Sequence, residues 1–445
     1  MTGEAGEGGE GGEVPGHDIQ GNVLRGYPLD HAAHVFLAIA DGAGAKGRRL
    51  VRDILPRVTT GAPWPPGHRP ARTLNAAFTY RGLEALAPGR AWLEALPEDF
   101  REGMAARAER ELGDRGPSAS DSWEAGLGEG GADMLLTVYA ASAGERDRGA
   151  EALAGEVAGL GGLRVARVQV TDTLPDAREH FGFRDGFSQP AVAGSGRSPR
   201  GEGVRGRLGW RPVRLGEFVL GHLDEDGVVP GGEEEMLRNG TFMVWRKLAQ
   251  HVEEWDAWRL EAAGGDPGVA RRIGWEVVGR RDDGTSLMRP AQTGPGPPEP
   301  DNEFAYGDDP HGRRCPLGAH VRRASPRDAL GWGTVRTKRH RLIRRGMAYG
   351  PREGGAGVDR GLVFVCLNAS IARQFEFVQA AWLGDGAAFG LGDDQDFLLG
   401  DPATKMTIQG DPPRFLTEGR RFVTTRGGHY LFVPGMEALR RLAAG

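Results

Sequence analysis

Residues 133–172, DMLLTVYAASAGERDRGAEALAGEVAGLGGLRVARVQVTD, hold an apolar run, an amphipathic stretch and a second apolar run. DMLLTVYAA (133–141) reads as a strand, and GERDRGAEALAGEVAGL (144–160) reads as a helix. LRVARVQVTD (163–172) alternates in part between apolar and polar residues, as a strand covered on one side does. The same rhythm precedes it. HVFLAIAD (34–41) is a strand, AKGRRLVRDILPRV (45–58) a helix and RTLNAAFTY (72–80) a second strand, followed by a helix near 81–87. The β-α-β-β-α-β order predicts a split-βαβ, ferredoxin-like unit.

Downstream, AVAGSGRSPRGEGVRGRLG (191–209) reads as a loop or linker. The rhythm then returns. TFMVWRKL (241–248) and GLVFVCLN (361–368) are strands, while HVEEWDAWRLEAA (251–263) and SIARQFEFVQAAWL (370–383) are helices. RFVTTRGGHYLFVP (421–434) reads as a hairpin-like pair, and a short helix ends the chain. The chain therefore divides into a Gly/Glu tail (1–17), a first α+β half (18–190), a linker region (191–240) and a second α+β half (241–445). Polar insertions at 290–313 and 349–360 exceed ordinary turns, which suggests functional loops.

Composition narrows the function classes. Of 445 residues 73 are Gly, over twice the usual share of about 7%, yet no Gly-X-Y period makes a collagen. Arg far outnumbers Lys, so a GC-rich genome accounts for much of the Gly and Ala as well. The net charge of −5 gives no reason to expect nucleic acid or an anionic membrane surface. No apolar run approaches the length of a membrane-spanning helix. Two cysteines, Cys315 and Cys366, cannot build a disulfide framework. With no export signal legible, a reducing cytoplasm is the expected location. Gly42, Gly44 and Gly47 satisfy G-x-G-x-x-G, but 61–72 offers no carboxylate for a ribose, so a dinucleotide site is set aside.

Three segments look chemical. FGFRDGFSQP (181–190) sets Asp185 between Gly182 and Gly186, with Phe181, Phe183 and Phe187 around it. An Asp-Gly turn is the plain reading; a carboxyl among rings that shuttles a proton is the other. CPLGAHVRRASPR (315–327) places His320 where a loop enters a helix. The Arg-rich RHRLIRRGMAYG (339–350) surrounds an apolar Leu342-Ile343-Met347 stripe, where a buried Arg needs an anionic partner.

Taken together, these segments resemble the dye-decolorising peroxidases. GFRDG is that family's G-x-x-D-G signature. AHVRR-x-x-PR is similar to the segment carrying its proximal haem ligand, and IRRG-x-x-YG to that carrying its distal Arg. DIQGNVLRGY (18–27), GLVFVCLNASIARQFEFVQ (361–379) and RFVTTRGGHYLFVP look like the family's opening and C-terminal segments, so the likeness runs in order from about 18 to 440. The longer, insertion-bearing type fits best. The resemblance implies duplicated ferredoxin-like α+β halves with antiparallel sheets, and one non-covalent haem b per chain, bound mainly in the C-terminal half.

Carried over by position, the resemblance makes His320 the axial iron ligand and places Asp185 with Arg344 on the opposite face. It gives Leu362 and Phe364 to the apolar wall, Gly186 to the turn beside the carboxylate, and Arg327 to a haem propionate. The second nitrogen of the proximal His wants a carboxylate; Asp396 is expected there, with Glu376 and Asp394 as rivals. The implied reaction reduces hydrogen peroxide through a ferryl intermediate while oxidising a bulky phenolic or dye-like organic donor. Asp185 would move the proton, Arg344 would stabilise charge, and Tyr349 or Trp382 would pass electrons from the surface. A haem-handling protein without turnover, and a cofactor-free binding module on which the three residues do not converge, are the alternatives.

Overall fold

The computed structural model describes residues 14–87, 89–186, 188–195, 212–290, 302, 304–331, 334–355, 357–417 and 419–445. Phe187, residues 1–13 of the Gly/Glu tail, the middle of the linker region and half of the 290–313 insertion lie outside the described residues.

The first group of strands is β1 (His31–Ile39), β2 (Arg72–Phe78), β3 (Met134–Ala140) and β4 (Leu163–Asp172). They pair antiparallel in the order β4-β1-β3-β2. The second group comprises β5 (Thr241–Gln250), β6 (Ile343–Arg344), β7 (Met347–Tyr349) and β8 (Gly361–Asn368). After the separate small pair β9 (Met406–Ile408) and β10 (Arg414–Leu416), the group is completed by β11 (Val423–Val433). Its order is β11-β5-β8-β6, with β7 also on β8. Both groups have the same plan: first and third strands central, fourth and second outside. That is the predicted ferredoxin-like α+β order, present twice.

One join was not legible in the sequence. β2 meets β11 where Phe78 faces Phe432, so the described strands form a single nine-stranded sheet. Its two groups fold over each other, bringing Phe36 of β1 within 4.9 Å of Trp245 of β5, ring to ring. The alternation expected of half-exposed strands is consequently absent from most of the sheet. β1, β2, β3 and β5 are buried on both faces. One face, with Val35, Leu37, Leu136 and Phe432, meets the helices; the other, with Phe36, Leu135, Trp245 and Leu431, closes on itself. Among the described strands of this sheet, β4 alone keeps large apolar side chains exposed, at Val168 and Val170.

Local sequence explains the helices. Gly44–Ile54 buries Gly47, Leu50, Val51 and Ile54, the i, i+3, i+4, i+7 stripe of an amphipathic helix. Ala143–Leu160 starts where the Ser142 hydroxyl accepts the Glu145 N–H. Pro267–Val278 opens with Pro at its first position and with Asp266 accepting from the Gly268 and Val269 N–H groups. No helix among the described residues is long and apolar enough to cross a membrane.

Two expectations are corrected. RFVTTRGGHYLFVP is not a hairpin but one strand, β11, with a bulge between Thr425 and Gly427 where it pairs with β5. The glycines that suggested a turn absorb the bulge instead. Gly427 sits at φ +141°, and a Cβ there would lie 2.3 Å from that of Leu127. The helix expected over 370–383 winds as π-helix at Ile371–Glu376 and Val378–Leu383. Such wide turns are rare and concentrate at functional sites. Here they put Phe375, Val378, Gln379 and Leu383 on the wall of a large cavity.

Candidate active site

That cavity, about 430 Å³, is where the segments singled out above converge. Asp185, His320, Arg344, Leu362 and Phe364 all line it, though the chain separates the first two by 135 positions.

On one side Arg344 Nη1 donates to Asp185 Oδ1 at 3.0 Å and lies 3.4 Å from Oδ2. Strand pairing positions the arginine: Arg344 faces Cys366 in β8, and its backbone N–H donates to Gln189 Oε1 at 2.9 Å. Its Nη2 reaches the Ser188 carbonyl at 3.3 Å, so the two segments are tied three ways. Asp185 lies deep in the protein yet keeps 41% of its side chain accessible, because it lines the cavity. Burial pushes its carboxyl up, but the Arg344 charge, the Gly186 N–H and the Arg344 hydrogen bond outweigh it and hold the carboxyl below the ordinary range.

Across the cavity, His320 is the first residue of the helix His320–Ala324. Its Nδ1 lies 3.0 Å from Oδ2 of Asp396, which is fully buried. Oδ1 of the same carboxylate accepts the N–H groups of Leu398 and Leu399 at 3.1 and 3.0 Å. Arg323 brings these distant stretches together, its Nε on the Trp382 carbonyl at 2.6 Å and its Nη1 on that of Asp394 at 2.9 Å. Burial disfavours charge on His320, but the charge and hydrogen bond of Asp396 overcome this and raise its pKa. With an ionised carboxylate on Nδ1, the imidazole keeps its proton there and leaves Nε2 as a lone-pair donor.

Glu376 and Asp394 are otherwise engaged. Glu376 takes Arg107 Nε and Nη2 at 2.7 and 2.8 Å and the Tyr430 hydroxyl at 2.8 Å. Asp394 accepts the Thr407 hydroxyl at 2.7 Å and lies 2.7 Å from Lys405 Nζ. Replacing Glu376 with Gln should therefore lower stability, by roughly 1–3 kcal/mol, because it weakens a buried ionic cluster. Thermal melts should show the loss while the haem absorbance of loaded protein stays unchanged; an altered absorbance would mean that Glu376 acts on the ligand side after all.

Arg327 does not reach the cavity wall. It is buried at φ +54°, its Nη1 donating to the Asn302 and Phe304 carbonyls at 2.7 and 2.9 Å, its guanidinium 3.8 Å above the Phe304 ring. Its backbone conformation turns it into the protein, a direction no sequence motif announces. The cations that do line the cavity include Arg341, from the Arg-rich segment singled out above, and Arg246, Arg280 and Arg421, to which the sequence assigned no role. Their sequence neighbourhoods look like any other Arg-rich surface, and only β5 alternation hints at Arg246. Tyr349 and Trp382 are buried, at 2% and 4% exposure, so neither is a surface residue. Tyr349 lies beneath the Lys247 ammonium, and Trp382 meets the His340 ring edge-on at 5.1 Å.

The cavity fits a flat, apolar, iron-bearing macrocycle. Its volume falls in the range of cofactor and ligand sites, about 300–1,000 Å³. Leu342, Leu362, Phe364, Phe375, Val378 and Leu383 supply apolar wall, and His320 Nε2 would be the nitrogen donor such a group requires.

Residues 221–390 match the family model described as Dyp-type peroxidase, C-terminal. The chain is 28% identical to the dye-decolorizing peroxidase msp1 of Mycetinis scorodonius, over 95% of this chain and 86% of that protein. It is 29% identical to the multifunctional dye peroxidase DyP2 of Amycolatopsis sp., over 96% of this chain and 95% of that protein. Among solved structures, a dye-decolorizing peroxidase in complex with 2,6-dimethoxyphenol superposes with a TM-score of 0.81 at 25% identity, covering 97% of this chain and 100% of the other.

Proposed function

We propose, for a chain that belongs to the dye-decolorising peroxidases, that it uses one non-covalently bound haem b to reduce hydrogen peroxide at the expense of an organic, phenol-like donor. The observation that carries the reading is that Asp185 with Arg344, and His320 backed by the buried Asp396, meet at one cavity. In this reading His320 Nε2 would hold the iron, and Leu362 and Phe364 would supply apolar wall for the haem. The haem supplies the redox-active iron at which peroxide is reduced and from which the donor is oxidised.

The chain's own residues divide the remaining work. Asp185, held ionised by Arg344, accepts a proton from hydrogen peroxide. Oδ2, the oxygen farther from Arg344, is the better placed to receive it. The same oxygen then returns the proton to the departing oxygen, so no net proton is held between turnovers. Arg344 keeps its charge throughout and stabilises the negative charge that builds on that oxygen. Asp396 fixes the tautomer of His320 and makes its free nitrogen a stronger donor.

Peroxide-dependent oxidation of 2,6-dimethoxyphenol by haem-loaded protein tests the reading. Turnover supports it; haem binding without turnover would make the chain a haem-handling protein. The pH dependence follows from Asp185. Because its pKa lies below the ordinary range, the carboxylate persists as pH falls, and the acid limb of kcat/KM for peroxide should lie below the ordinary aspartate range. Arg344→Gln removes the principal influence lowering that pKa. The acid limb should move to higher pH, and kcat/KM should fall on the order of 100- to 1,000-fold. An acid limb that stays in place would remove Arg344 from this role.

A further inference from the structure

The turn that carries Asp185 has open space on both sides. Phe181 and Phe183 line the main cavity and also a second one, of about 330 Å³, bounded by Arg178, Arg259, Trp275 and Arg352. Gly182 and Gly186 stand at φ +93° and +85°, and a Cβ at either would meet nothing within 4 Å. A segment flanked by two cavities, with a glycine before and a glycine after its carboxylate, is not held by side-chain packing alone. Something else must fix where Asp185 points.

We propose that Glu179 is the positioning residue for Asp185. Its two carboxylate oxygens accept separate backbone N–H groups of the turn, Phe183 on Oε1 and Phe181 on Oε2, each at 2.9 Å. Its own backbone closes the same turn: Glu179 N–H donates to the Phe183 carbonyl, and Gly182 N–H to the Glu179 carbonyl, again at 2.9 Å each. The clamp is anchored to the sheet through Gln250 of β5, whose Nε2 donates to Oε2 at 2.5 Å. Asp185 leaves the clamped turn with its N–H on the Ala177 carbonyl at 3.2 Å, which aims it at Arg344. Glu179 also lines the main cavity, so burial and the nearby Asp185 charge push its carboxyl up; the N–H groups of Phe181 and Phe183 and the Gln250 amide offset part of this. The turn that bears Asp185 is therefore held from outside its two glycines, by the Glu179 carboxylate.

The inference rests on the peroxidase reading, in which Asp185 carries the proton, and a double-mutant cycle separates the two. In haem-loaded protein, Glu179→Ala should lower kcat/KM for peroxide on the order of 100-fold, the scale of a misplaced reacting group. KM for 2,6-dimethoxyphenol should not move. In an Asp185→Asn background the same change should cost less than about threefold, since a residue acting through Asp185 has nothing left to position. Glu179→Gln keeps one acceptor oxygen and should recover part of the loss, and it serves where the Ala variant does not fold. Equal losses in both backgrounds, or no loss in either, would overturn the role of Glu179. Undiminished turnover by Asp185→Asn alone would instead overturn the peroxidase assignment of Asp185.

Discussion

Asp185→Asn should bind haem normally and lose peroxide turnover by a factor on the order of 1,000. Asparagine has nearly the same shape and keeps an oxygen where Arg344 Nη1 donates at 3.0 Å, so the cavity is preserved. What disappears is the ability to take up a proton from peroxide. The charge on Arg344 then faces no carboxylate, and stabilisation of the departing oxygen survives while proton transfer does not. Stopped-flow absorbance of loaded protein mixed with peroxide reads this directly: a slow or absent spectral change, with the resting spectrum intact. A rate within a few-fold of the unmodified chain would mean that another base serves, and Glu179 is the other carboxylate beside it on that wall.

His320→Ala should have the opposite signature. Loss of the only imidazole that combines a buried carboxylate partner with a place on the cavity wall should strip the protein of stoichiometric haem. His340 also lines the cavity, but its Nδ1 is 2.6 Å from the Arg373 carbonyl and its ring stacks on Phe377 at 4.0 Å. Neither a carboxylate nor a free orientation equips it to substitute. Purified His320→Ala should show no Soret band after haem addition and gel filtration, and exogenous imidazole should restore part of it. An unchanged Soret band would place the axial ligand elsewhere. Together the two variants distinguish the roles: one protein full of haem and inactive, the other empty.

Several boundaries and partners were legible before any coordinates. LRVARVQVTD and GLVFVCLN coincide with β4 and β8 because the first alternates and the second is a compact apolar run, each bounded by glycine, turn or charge. RFVTTRGGHYLFVP misled because two adjacent glycines signal a reversal locally, whereas the neighbouring strand β5 pairs across them and turns the irregularity into a bulge. Tyr349 and Trp382 misled for a related reason: an aromatic residue can be covered by elements that its own sequence neighbourhood does not reveal. The Asp396 assignment was one of three, and what separates it from Glu376 and Asp394 is which competing donors each carboxylate meets.

By itself, the sequence determined the α+β rhythm, the repetition of that rhythm, and the residue types able to ligate iron, move a proton and stabilise charge. These follow from hydrophobic periodicity and side-chain chemistry, which are local. Only the tertiary structure decided that the strand groups join into one sheet through Phe78 and Phe432, that Arg327 turns inward, and that Glu179 clamps the turn bearing Asp185. Each of these depends on which groups meet across tens or hundreds of residues. Burial settles such meetings by requiring every interior charge and N–H group to find a partner. A one-dimensional pattern names the candidates for that pairing; the folded chain chooses among them.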